Sequence, residues 1–311
     1  MGRDRSQANP FDYETPSAVC DPEALNRTLA QWNHERLGPC VPHPGWQDAL
    51  AVDHRMRWLE GCWVEGLRQD VAARAGEAPH DPDGFLEWFE ALKHDGPGQF
   101  DPLFDWLAEA ASDDDMRWFL TQEAAGEAGF DDLVALTQIK MPPEPKLELA
   151  RNYWDEMGRG HALGMHGPML DRAVSALGLR PAIGTTVWES LAIANTLTAL
   201  ATTARYAWLS VGALGAVELT APGRVSKIAE GMRRLGYPPV VRKYFDLHAA
   251  LDVKHSQDWD QNVLRPAVAA DPSLARPIAE GALIRLGGGA RCFERYRREL
   301  WGESALAMAA E

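Results

Sequence analysis

The chain has 311 residues, 46% hydrophobic and 24% charged, the balance of a soluble globular protein with one large domain or one domain plus an appendage. A formal net charge of −14 argues against nucleic acid and anionic membrane as partners, because both call for a basic footprint. The scattered cysteines (Cys20, Cys40, Cys62, Cys292) form no Cys-x-x-Cys pair, which disfavours a zinc ribbon or thioredoxin-like motif, and with an N-terminus lacking a signal-peptide core they lead us to expect a reduced, cytoplasmic protein.

Residues 1–50 are rich in Pro, Asp and Asn and read as an irregular arm with one helix near Asp21–Arg36, where Asp21-Pro22 is a good start signal. Leu50, Val52, Met56, Leu59, Trp63 and Leu67 carry helical periodicity through residues 47–75. Two short acidic, aromatic helices follow at 82–94 and 101–111. Ser112-Asp-Asp-Asp115 reads as an N-cap with a negative first turn, opening a helix over 115–128. Phe130-Asp-Asp starts another, which ends before Met141-Pro-Pro. Further helices are predicted over 146–158, 166–178, 184–218, 222–235, 238–260, 273–286 and 290–307, with Pro and Gly clusters between most of them. The apolar run from Trp188 to Leu219 contains Glu189, Arg205 and Glu218, so it reads as a buried core helix rather than a membrane span. No run alternates like a strand, and the reading is an all-α bundle: an N-terminal arm and helical extension over 1–100 and a helical domain over 101–311.

The segment His248-Ala-Ala-Leu-Asp252-Val-Lys-His255 carries the clearest chemistry. At ~100° per residue, positions i, i+4 and i+7 fall within roughly 60° of arc, so two imidazoles and a carboxylate share one helix face. That donor set suits non-haem iron and related metals. A solvated polar face has the same composition. The flanking Tyr244, Phe245, Leu247, Leu251 and Val253 favour an inward orientation.

Other carboxylates and histidines are candidates to join this trio. Glu156 and His166 lie ten residues apart, and on one straight helix that separation is ~15 Å along the axis. They can meet only if Gly158, Gly160 and Gly164 break the helix or if they sit on successive elements; otherwise the stretch is a glycine-rich loop with an incidental Glu. Glu218 closes a long predicted apolar helix, where a carboxylate is costly unless it is paired, metal-bound or solvated. Gly212 and Gly215 on that helix permit a close neighbour. Glu123 and Glu127 share a face at i, i+4, either solvated or near a metal, and Glu123 is preferred because Phe119 and Leu120 precede it. His161 is held as a supporting residue or a decoy. His34, His43, His54, His80 and His94 read as surface residues.

In order, Glu156, His166, Glu218, His248, Asp252 and His255 resemble the ligand set of the haem-oxygenase-like diiron oxidase and oxygenase family: Glu-x9-His, a later Glu, then His-x3-Asp-x2-His about thirty residues on. Met157-Gly-Arg-Gly160 and the residues around His166 also resemble that family's glycine-rich turn and the helix after it. The resemblance covers roughly residues 115–260. It implies a seven-helix haem-oxygenase-like bundle that binds no haem, two Fe(II)/Fe(III) ions held by those six residues with Glu123 as a possible additional ligand, and O2 as co-substrate. It further implies a small-molecule substrate and an external electron donor. Family chemistries include N-oxygenation of amines and guanidines and oxidative C–C cleavage of amino or fatty acids. An extra carboxylate resembles the N-oxygenating members, so N-oxygenation of an amine or amino-acid-derived nitrogen is expected, in specialised metabolism, with C–C cleavage as the alternative. A metal-free small-molecule-binding bundle and an interaction protein using the acidic N-terminal half are the rival classes. Residues 1–100 are expected either to cap the bundle or to form a homodimer contact. Arg205 and Arg242 are candidates to hold a substrate carboxylate, and Tyr153, Trp154, Tyr206 and Tyr244 to line a pocket.

Overall fold

The computed structural model describes residues 21–42 and 44–308, apart from the side chains of Asp252, Val253 and residues 303–308. The described residues form helices and no strand. These are α1 (Pro22–Leu37), α2 (Trp46–Ala75), α3 (Pro82–Asp95), α4 (Pro102–Glu109), α5 (Asp113–Gly126), α6 (Phe130–Thr137), α7 (Pro143–Glu156), α8 (His166–Ala176), α9 (Trp188–Thr202), α10 (Ala207–Arg234), α11 (Pro239–Trp259), α12 (Arg265–Ala270) and α13 (Ala275–Met308).

Local sequence explains most helix starts. α1, α3 and α4 each begin with Asp-Pro: the aspartates Asp21, Asp81 and Asp101 accept backbone N–H groups while the proline sits where no N–H is needed. Ser112 and Asp115 form a reciprocal capping box at the head of α5. α7 and α11 also open on proline.

The centre of the bundle is α10, which packs against α11, α13, α4 and α9. Its residues from Leu209 to Ala216 are buried on every face, as an apolar helix surrounded by others must be. Backbone proximity is closest where α10 crosses α13. A Cβ on Gly212 would run into the carbonyl of Ile278, and a Cβ on Gly281 would run into the carbonyl of Leu209. At Gly215 the indole of Trp259 takes the space instead, 2.7 Å from where a Cβ would stand.

The N-terminal helices are hydrogen-bonded to this bundle. Asn195 on α9 donates to the Asn26 carbonyl at 2.8 Å and accepts from Asn33 at 3.0 Å, both on α1. On α2, Trp63 donates to Thr196 and Arg68 pairs with Glu280 of α13 at 2.7 Å.

Three boundaries differ from the sequence reading. The helix expected over 184–218 is two helices, because the chain leaves helical geometry at Thr203 (φ −122°, ψ 113°). There the hydroxyls of Thr202 and Thr203 accept from Arg57, and Arg205 escapes the apolar path to pair with Glu65. The second piece does not stop near Glu218: α10 runs on through Pro222 to Arg234. Glu218 is therefore mid-helix, although Pro222 removes the N–H that would have bonded its carbonyl. Finally, the helices expected over 273–286 and 290–307 are one, α13, with its break in φ at Gly302 (φ 71°) rather than at Gly287–Gly289. Close contact there outweighs poor propensity, since a Cβ at Gly288 would stand 3.3 Å from Ile193 of α9.

α11 ends in a π-helical turn, Asp260–Leu264, which turns Asp260 inward. Burial, then the nearby Glu90, pushes its carboxyl up to about 7. A raised carboxyl stabilises the fold while protonated, and that contribution is lost as pH rises towards and through about 7. We expect Asp260→Asn to flatten the pH dependence of unfolding between pH 4 and 7 by about 1 kcal/mol per pH unit. Urea melts across that range check it, and parallel wild-type and variant curves would contradict it.

Candidate metal centre

Glu156 is the last residue of α7 and His166 the first of α8. Between them the chain makes two short 3-10 turns, Gly158–Gly160 and Ala162–Gly164. Gly158 (φ 60°) and Gly160 (φ 84°) take left-handed conformations, and a Cβ on Gly158 would collide with the backbone of Gly164. The turn closes with hydrogen bonds from His161 N to Gly158 O (3.0 Å) and from Gly164 N to His161 O (2.7 Å). Glycine thus supplies the break that a straight helix lacks, and the two side chains meet: His166 Nδ1 is 2.7 Å from Glu156 Oε2.

α11 brings His248 to the same place. One donor atom each from Glu156, His166 and His248 lie within 4.8 Å of one another. The rings of His166 and His248 meet edge to face with centroids 4.6 Å apart. His248 Nδ1 is 2.7 Å from the Tyr244 carbonyl, which can only accept, so the proton is on Nδ1 and Nε2 keeps its lone pair. Burial, reinforced by His166, lowers the His248 pKa to about 4, so the ring is neutral near pH 7.

Two turns along α11, His255 contacts a second carboxylate. Its Nδ1 lies 3.5 Å from Glu218 Oε1, and its Nε2 lies 3.3 Å from Asp155 Oδ2. Asn152, one turn before Glu156, donates to Glu218 Oε1 at 2.6 Å. Burial opposes ionisation of Asp155, but hydrogen bonds from Arg159 and His255 hold its carboxyl below the ordinary value. Burial raises the Glu156 carboxyl; His166 opposes this and Glu218 adds to it, so the two carboxylates sense each other. Glu156, Glu218, His166 and His255 are all buried. Asp252 lies between the two histidines on α11, and its side chain lies outside the described residues.

Sequence reasoning missed Asn152 and Asp155. Asn152 had a signal, since it precedes Glu156 by four residues on one helix face. Of the α5 pair, the preferred Glu123 accepts from Tyr296 Oη at 2.9 Å and stands near Arg285 and Arg224. Glu127, just past the end of α5, is the one that senses Glu156: burial, then Glu156, then Glu123, push its carboxyl up to about 7. Both line a cavity of ≈ 160 Å³ with Leu120, Leu133, Ile193, Leu197, Met232 and Phe293. Facing that space, they keep accessible surface although protein surrounds them. The cavity also touches α8 at Leu170 and Ala173 and α11 at Tyr244 and Phe245.

Other candidates lie elsewhere. Arg205 pairs with Glu65, and Arg242 donates to the Tyr237 carbonyl and faces Asp246 at 3.6 Å, so neither reaches the cavity. Of the aromatic candidates Tyr244 lines the cavity, Tyr206 donates to Glu65, Tyr153 packs on the core and Trp154 is exposed. His161 is exposed, as are His34, His54, His80 and His94, whereas His43 lies outside the described residues.

The buried donors suit a metal. His166 Nδ1 approaches Glu156 closely without the alignment of a hydrogen bond and has no other hydrogen-bond partner among the described residues. A cation is the natural bridge between such electron-rich atoms, and carboxylates with neutral imidazoles suit iron. Residues 117–289 match the family of iron-containing redox enzymes. The chain belongs to that family. The match runs from α5 into α13 and contains every candidate ligand. No curated protein matches the chain. As an iron-containing redox enzyme of haem-oxygenase-like fold, the protein is an oxidoreductase with iron as its cofactor. No described helix is long and apolar enough to cross a membrane.

If the glycine turn sets the meeting of Glu156 with His166, Gly158→Ala should destabilise the fold by ~1–3 kcal/mol and weaken iron uptake. Denaturant melts and ferrous titration report both, and wild-type values in each would show that the turn is dispensable.

Proposed function

We propose that this iron-containing redox enzyme is a non-haem diiron oxygenase that activates O2 and N-oxygenates an amine or an amino-acid-derived nitrogen. The observation that carries the reading is the buried convergence of Glu156, His166 and His248 beside Glu218 and His255. Glu156, His166, Glu218, His248, Asp252 and His255 would hold two irons. When bound, they supply the electrons and open coordination positions with which O2 is reduced. Six protein ligands shared between two metals would leave such positions, and hard carboxylates with borderline imidazoles suit iron or manganese.

The chain's own residues do the rest. The Tyr244 carbonyl fixes the His248 tautomer, leaving Nε2 as donor. Asn152 and Asp155 orient Glu218 and His255 from behind. The apolar cavity walls exclude water, which protects an oxidising centre from side reactions. A substrate amine must be neutral to present its nitrogen lone pair. Glu127, with its carboxyl near pH 7, is placed at the wall to take that proton on a carboxylate oxygen. An additional carboxylate beside Glu156 supports the N-oxygenating reading.

Anaerobic titration of the metal-free protein should saturate near two ferrous ions per chain, and mixing with O2 should give a transient visible band. In His166→Ala or Glu156→Gln, iron affinity should fall by roughly 100-fold or more. Uptake of a single iron, or wild-type loading in both variants, would rule out this ligand assignment.

A further inference from the structure

The lining of the cavity includes two arginines that the oxidation chemistry leaves without a task. Arg224 comes from α10, six residues past Glu218, and Arg285 from α13. Arg224 donates to Thr220 Oγ1 at 3.0 Å and lies 5.5 Å over the ring of Phe293. The Nε of Arg285 is buried with no hydrogen-bond partner among the described residues. Both arginines sense Glu123, which is already hydrogen-bonded by Tyr296, and Arg285 also senses Glu127. Burial, then Arg285, pushes Arg224 down to about 9, so the two guanidiniums repel one another. A buried N–H left without a partner beside a largely apolar cavity is expensive unless a ligand completes it.

We infer that Arg224 and Arg285 form an anion subsite in the cavity wall, and that the molecule bound there is a carboxylic acid with an apolar body. Guanidinium forks match a carboxylate with two parallel hydrogen bonds. Leu120, Leu133, Ile193, Leu197 and Met232 offer the rest of the molecule a dry surface. A phosphate monoester fits less well. Its second charge would add repulsion from Glu123 and Glu127, which line the same cavity. The subsite replaces Arg205 and Arg242, which the sequence offered for this role. It rests on the cavity's being the substrate site of the proposed oxygenase, and it narrows that substrate to one carrying a carboxylate as well as its reacting group.

The test is calorimetric binding to the full-length, metal-free protein, with octanoate and phenylacetate against octylamine, octanamide and octyl phosphate. The acids should bind at least about tenfold more tightly than the amine, the amide and the phosphate. Arg285→Met and Arg224→Met should each weaken octanoate binding by about tenfold or more, with Arg285→Lys falling between. Far-ultraviolet circular dichroism and melting temperature confirm that the variants fold, and the comparison among ligands on the wild-type protein needs no variant. Octylamine or octyl phosphate binding as tightly as octanoate, or folded methionine variants with unchanged octanoate affinity, would overturn the inference. Iron uptake, measured separately, reports on the oxygenase reading alone, so the two can fail independently.

Discussion

Four ionisable side chains, Glu156, Glu218, His166 and His255, lie inside an apolar helical bundle, and the surrounding structure is organised around keeping them there. Burying a carboxylate without a partner costs several kcal/mol, more than most single packing contacts return. Each is therefore met by another polar group: His166 against Glu156, His255 and Asn152 against Glu218, Asp155 against His255. Even so, the Glu156 carboxyl is raised by its burial. Compensation among protein groups alone is incomplete, which is the condition under which a divalent cation gains most from binding.

Holding these groups at a few ångströms needs a rigid frame, and α10 is its axis. Gly212 and Gly281 let α10 and α13 cross almost backbone to backbone, which fixes α10 against its neighbours. Glu218 projects from this helix on one side of Pro222, and Arg224 lies just beyond it. One element thus contributes both to the cluster and to the cavity wall. The proline removes a single backbone hydrogen bond, yet packing on α11 and α13 keeps the helix continuous.

The cavity divides its labour along the same lines. Leucine, isoleucine and phenylalanine side chains make most of its wall apolar, which lowers the local dielectric around the few charged groups facing it. Glu127 senses both Glu156 and Arg285, so its charge is coupled to the cluster as well as to the arginine pair.

Much of this was legible in the sequence for a simple reason: it depends on short spacings. The Asp-Pro helix starts, the capping box of Ser112 and Asp115, and the common face of His248 and His255 follow from backbone geometry within a few residues. The need for a glycine break between Glu156 and His166 followed from the length of a helix. Residue types and their order also carried the resemblance that led to the family. Other features required partners far apart in the chain. The sequence ended a helix near Glu218, but tertiary packing carried it through Pro222; it offered Glu123 as the extra carboxylate, but the pitch at the end of α5 turned Glu127 towards Glu156 and left Glu123 with Tyr296. It likewise offered Arg205 and Arg242 by proximity along the chain, whereas the arginines facing the cavity are Arg224 and Arg285. The sequence by itself determined which donors exist and which share a helix face, because these are local properties of the backbone. Only the tertiary structure decided which carboxylates converge and which arginines stand over the cavity, because burial and close approach are properties of several helices packed together.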